Sequence, residues 1–170
     1  MFTPFSRVLL LLLCAALSVV AAGFGLYSLL IITSIASFIL LWGYFRKGSV
    51  QLALRRLRHE EYKEAEEVLE QTRQPERLEK QQKAYYLFVK GFIAREKDQY
   101  EEAKILLEES LNEGIRNQND IAMALLALTD MEMVKNNKRR AREYFLQMKD
   151  LKVKPALMHS IRKMQEWLEV

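Results

Sequence analysis

A single cysteine, Cys14, excludes an internal disulfide, so nothing in the chain requires an oxidising compartment. Leu13 stands where a lipid-attachment motif wants a small residue, and the thiol reads as a helix-packing or lipid-facing group. There are only two histidines, His59 and His159. Neither has cysteine, histidine or carboxylate neighbours at the spacing a zinc ion needs. No Gly-rich loop is placed to cradle a phosphate, and no nucleophile elbow is present. Together these absences leave no catalytic constellation, and the expectation is a chain that is not an enzyme and carries no metal or cofactor. Glu60–Glu61, Glu64–Glu67 and Glu101–Glu102 are acid clusters that invite an acid/base reading. They lie opposite apolar stripes, which makes them solvated surface.

Charge is also missing, completely, from residues 8–45, while all 22 acidic residues and 25 of the 26 basic ones lie at or after Arg46. Residues 5–22 and 26–45 each approach the roughly 20 apolar residues that cross a bilayer core. Gly23-Phe24-Gly25 separates them at a point suited to a tight turn. The expectation is a transmembrane helical hairpin over 1–47. Cleavage of the first span as a signal peptide, near Ala21-Ala22, is the alternative. Arg7 stands at the start of the first span, and Arg46, Lys47, Arg55, Arg56 and Arg58 follow the second. The positive-inside rule then puts both termini and everything after residue 47 on the cytoplasmic side, as in a prokaryotic inner membrane. The same five cations are candidates for contact with anionic headgroups. A sequence pI near 9.1 raises nucleic acid as a partner. Acidic and basic residues alternate through nearly every helix, however, and a nucleic-acid site needs a stripe of one sign, so nucleic acid is not expected.

What is present is a repeat. Tyr62-Lys63-Glu64-Ala65 returns as Tyr100-Glu101-Glu102-Ala103 and, more weakly, as Lys138-Arg139-Arg140-Ala141, with Ala65, Ala103 and Ala141 spaced 38 residues apart. A fixed period of this size marks a stack of like units. The apolar pattern predicts helical hairpins over 48–73, 83–113 and 120–150, turning at His59-Glu60-Glu61, Lys97-Asp98-Gln99 and Lys135-Asn136-Asn137. The expected helices of the second and third units are Ala84–Glu96, Tyr100–Asn112, Ile121–Val134 and Lys138–Asp150. Ser49 and Asn119-Asp120 are candidate N-caps, and Gly114 is a candidate C′ residue. Leu157, Ile161, Met164 and Leu168 fall on one stripe of a final helix within 154–170, suited to closing the stack. Trp167 is read with that cap, partner contact being its other use.

The repeats resemble the tetratricopeptide family. Its unit carries a small residue at positions 8 and 11, an aromatic at 17, alanine at 20 and a large apolar residue at 24. The second repeat supplies Gly91, Ala94, Tyr100, Ala103 and Leu107. The first supplies Ala53, Tyr62, Ala65 and Leu69, with Arg56 departing at position 11. The third supplies Ala141 and Phe145 but places Thr129, Glu132 and Lys138 at the other positions. The period of 38 exceeds the family's 34, implying longer connectors. With the two expected transmembrane helices before it, the resemblance implies an all-α fold: an α-solenoid of about three hairpins, closed by the C-terminal capping helix. It also implies a concave groove lined by the first helix of each pair. The groove residues carried over are Leu54; Tyr85, Phe88, Phe92 and Arg95; Met123, Leu126 and Asp130, with Lys47, Val50, Leu57 and Met133 at the remaining positions. The Lys/Asn set by which some relatives clamp a carboxylate is absent, so an apolar, aromatic groove is expected.

The reading that follows is a membrane-anchored, non-catalytic scaffold that binds a protein or peptide segment at the cytoplasmic membrane surface. Its partners would be membrane-associated proteins and lipid, with a second copy of the chain also open. Two alternatives stand beside it. One is a structural subunit recognised through the transmembrane hairpin. The other is an anionic-lipid or nucleic-acid binder acting through residues 46–58. Tyr85, Phe88 and Phe92 have a plainer use as core.

Overall fold

A computed structural model describes residues 49–168 apart from Arg73, together with Ile31 and Ile35. The chain divides between Gly48 and Ser49, and the unit beginning at Ser49 is described here. The expected spans 5–22 and 26–45 lie outside the described residues, except for Ile31 and Ile35, which are helical and exposed. Among the described residues no helix is long and apolar enough to cross a membrane.

The described residues form helices and no strand, as the all-α expectation requires. Helix α1 covers 49–58 and α2 covers Tyr62–Glu70. A 3₁₀ turn at Pro75–Arg77 leads to α3, Lys80–Glu96. Then come α4, Tyr100–Glu113; α5, Gln118–Val134; α6, Lys138–Leu146; and α7, Pro155–Leu168. From α2 onward each helix packs on its sequence neighbour, α3 on α4 and α5 on α6 most extensively among these, and α7 also reaches α5.

The three hairpin turns have one construction. Glu60, Asp98 and Asn136 are the non-glycine residues with positive φ among those described, at 62°, 59° and 58°, and they repeat at the 38-residue spacing. Each is the C′ residue of a helix. Its amide donates three residues back, to Leu57, Arg95 and Met133. The next amide donates five back, from Glu61 to Arg56 (3.1 Å), Gln99 to Ala94 (2.9 Å) and Asn137 to Glu132 (2.8 Å). This is the Schellman closure. That same next residue is the N-cap of the following helix: its carbonyl accepts from Ala65, Ala103 or Ala141. All three alanines have 0% exposure. A left-handed residue other than glycine is strained by about 1–2 kcal/mol, against roughly 0.5–1 kcal/mol of chain entropy that glycine loses. Glu60→Gly is therefore expected to stabilise the unit slightly, by less than about 1 kcal/mol, seen as a rise in urea midpoint. A fall would mean that the Glu60 side chain holds the turn.

One core runs from α1 to α5 around Leu57, Leu69, Phe88, Leu107, Leu128 and Met131. A second joins α5, α6 and α7 around Ala122, Leu125, Ala141, Phe145, Met148 and Leu168. Gly91 lets α3 approach α4: a Cβ there would stand 2.9 Å from the Leu107 side chain. The predicted stripe Leu157, Ile161, Met164 and Leu168 is the face α7 turns to the second core.

Some boundaries differ from expectation. Helix α3 starts at Lys80, a polar turn earlier than its apolar pattern, and α6 stops at Leu146, with 147–150 in turns. Asn117, rather than Asn119-Asp120, caps α5 by accepting from the Asn119 amide at 2.9 Å. Gln118 and Asn119 instead accept from the backbone amides of Lys152 and Lys154, at 2.8 and 2.7 Å, and pin the connector to α7. Ser49 is helical, and its hydroxyl pairs with that of Thr72 at 2.9 Å, joining the start of α1 to the end of α2. Gly114 does take the left-handed C′ role, with φ 96°. Trp167 does not close the core: it is 64% exposed, because the inward stripe of α7 falls on the other side of the helix.

Candidate protein-docking surface

The residues expected to line a groove come from α1, α3 and α5. They fall into two sets. Leu54, Phe88 and Phe92 are buried, at 9%, 1% and 7% exposure. The Phe88 ring sits 4.8 Å from that of Phe92 and meets Tyr85 edge-on at 6.2 Å. These two phenylalanines fill the interior of the α1–α5 core. Val50 and Leu57 are buried as well. Tyr85, Arg95, Met123, Leu126, Asp130 and Met133 are half-buried and keep accessible surface. Leu126 and Met133 also pack against the core under α7. Lys47 lies outside the described residues.

The polar groups of this set are bonded to one another. Arg58, at the end of α1, donates to both carboxylate oxygens of Asp120, at 3.1 and 2.9 Å. The Tyr85 hydroxyl donates to the same Asp120 Oδ2 at 3.1 Å. One carboxylate in the first turn of α5, where the helix dipole favours it, therefore ties the first, second and third hairpins. Arg95 donates to Asp130 Oδ2 at 2.6 Å, linking α3 to α5 a second time. Burial first, then the Asp120 carboxylate, pushes the Tyr85 phenol up to about 12. An ordinary tyrosine titrates near 10. Because the folded value exceeds the unfolded one, stability is complete below about pH 10 and falls as pH rises through about 12. Tyr85→Phe is expected to flatten part of that alkaline fall, measured by circular dichroism across the range; an unchanged curve would place the sensitivity in another tyrosine. Burial, followed by a hydrogen bond to Glu108, raises Tyr144 in the same direction.

The five cations expected at a membrane surface separate too. Arg46 and Lys47 lie outside the described residues. Arg55 is exposed. Arg56 is held by Glu61 at 2.6 Å, and Arg58 by Asp120.

Two sets of polar contacts escaped the sequence reading. Turn lysines one period apart reach back to an earlier helix, Lys97 to Glu66 and Lys135 to Glu101. Glu132, only 3% exposed at its side chain, pairs with Lys104, and its Oε2 accepts from the side-chain amide Nδ2 of Asn137 at 2.8 Å. A carboxylate at a position where the repeat wants a small residue was the available signal: such a group needs a buried partner. His59 and His159 are exposed and stand apart in a turn and in α7. Among the described residues no group of three or more His, Cys, Asp or Glu is placed to hold a metal ion.

No protein-family model matches the chain, and no curated protein or solved structure matches it.

Proposed function

We propose that this chain is a membrane-anchored, non-catalytic scaffold, an α-solenoid of three tetratricopeptide-like hairpins that holds a segment of a protein partner at the cytoplasmic membrane surface. The observation that carries the reading is the turn repeated at 38-residue intervals, each with its left-handed residue and its fully buried alanine. Such repetition builds extended surfaces for other chains. Arg58, Arg95, Asp120 and Asp130 on the first helices are already paired with each other. What they leave for an occupant is apolar area around Met123, Leu126 and Met133, which suits an amphipathic helix or an apolar extended segment. Methionines adapt to such occupants. The uncharged stretch 8–45 supports confinement to a membrane, where the effective concentration of membrane-bound partners is high.

The test places a photo-crosslinking side chain at Met123 in the full chain in intact membranes, with Ile105 as control. Ile105 is 61% exposed on the second helix of its hairpin. A partner captured from position 123 and not from 105 supports the groove. Capture from 105 alone, or from neither, removes it and transfers recognition to the segment before residue 48.

A further inference from the structure

Charge is unevenly divided along the array. Residues 49–134 carry 13 lysines and arginines against 18 acidic residues, a balance of −5, whereas residues 135–170 carry 10 against 4, a balance of +6. Alternation within single helices hides this division between the ends. Every lysine and arginine from 135 to 163 is exposed. Lys135 is taken by Glu101, Arg139 approaches Glu143 at 3.5 Å, and Arg142 donates to the Leu168 carbonyl. Lys138, Arg140, Lys152, Lys154, Arg162 and Lys163 form no ion pair among the described residues. They belong to one layer, since α6 packs on α7 and Arg142 ties the two together.

The same layer exposes apolar groups. Trp167 is 64% exposed and follows Lys163 by one turn; Met158 is 38% exposed and precedes Arg162 by one turn. Relative to the inward stripe of Leu157, Ile161, Met164 and Leu168, Met158 and Arg162 run along one flank of α7 and Lys163 and Trp167 along the other, with Arg162 and Lys163 turned outward on either side of Glu166. Cations beside an exposed indole and an exposed thioether are the composition of a helix that lies at a bilayer interface.

We infer that the layer formed by α6, the connector 147–154 and α7 docks on an anionic lipid surface, with phosphate headgroups as its ligand. Charge complementarity selects the occupant: unpaired cations meet the negative leaflet while the acidic first hairpins are repelled by it. The site differs from the basic stretch 46–58, in which Arg56 and Arg58 are spent on Glu61 and Asp120. It shares the membrane location of the proposed scaffold but does not depend on what fills the groove.

The chain has two tryptophans, so Trp42→Phe leaves Trp167 as the sole reporter. The full-length Trp42→Phe protein is reconstituted into vesicles of phosphatidylcholine, and into vesicles that also contain phosphatidylglycerol. The expected result is a blue shift of Trp167 emission, and quenching by brominated acyl chains, in the anionic vesicles alone. Both effects weaken as salt rises from about 0.1 M to about 1 M and the screening length falls from about 10 Å to about 3 Å. Both are lost in Lys152→Gln/Lys154→Gln/Arg162→Gln/Lys163→Gln with helicity unchanged. Equal emission in the two vesicle types overturns the inference. So does a shift that follows protein concentration without lipid, which points to a second copy, or one produced by single-stranded RNA and not by vesicles. Crosslinking at Met123 is read separately, so failure of the groove and failure of this surface are distinguishable.

Discussion

Phe88→Ala is expected to cost about 3–5 kcal/mol, the usual range for truncating a buried ring. Phe88 is 1% exposed, stacks against Phe92 at a tilt and meets Tyr85 edge-on. Its removal leaves a cavity between helices that Gly91 already holds close, so the site has little freedom to collapse. Domains of this size are stable by roughly 5–15 kcal/mol. Phe88→Ala/Phe92→Ala is therefore expected to lose its cooperative urea transition. Contacting residues do not add simply, so the double variant should fall short of twice the single loss. Denaturation followed by circular dichroism decides the matter. A midpoint close to wild type would mean that the ring is not part of the core and is available to a partner. For the same reason these phenylalanines are poor probes of binding, and Met123 is the better one.

The second large effect belongs to Lys104 and Glu132. Their side chains are 12% and 3% exposed, and removing one partner of such a pair typically costs about 3–5 kcal/mol. Lys104→Met should fall in that range, since the Glu132 carboxylate keeps only the side-chain amide of Asn137. Glu132→Leu should fall lower, because a lysine stem can carry its ammonium toward water. The double variant Lys104→Met/Glu132→Leu should cost far less than the sum, because no buried charge is then left unmatched. A double-mutant cycle in urea measures this coupling. Additive losses would show that the two groups do not depend on each other.

Local rules reached much of this fold. Ala65, Ala103 and Ala141 marked close helix approaches, Gly114 marked a helix end, and the Leu157–Leu168 stripe marked the inward face of α7. Each signal rests on residues within one or two turns of one another. The errors have the same origin. Asn117, Asn119 and Asp120 compete for one cap, and only the distant demands on Asn119 and Asp120 decide the contest. Arg58 has the sequence signature of a surface cation because its acceptor lies 62 residues away. Glu132 looked like a failed match to the repeat because its partner sits on the preceding hairpin. Within the candidate groove the pattern located the first helices, but periodicity alone could not separate Phe88, sealed inside, from Met123, one repeat later and partly open. That difference depends on how many neighbours each helix has.

The construction of the turns has a consequence for how such an array changes over time. One residue ends a helix through its amide and begins the next through its carbonyl. Nothing can be inserted there without breaking both closures, whereas the connectors at 71–79, 114–117 and 147–154 already differ in length. The closure uses backbone groups only, so it tolerates Glu60, Asp98 or Asn136 alike. Length variation and duplication are thereby channelled into the segments between hairpins, and a whole hairpin becomes the unit of inheritance. The third one could lose most of its resemblance to the second and still be copied in phase.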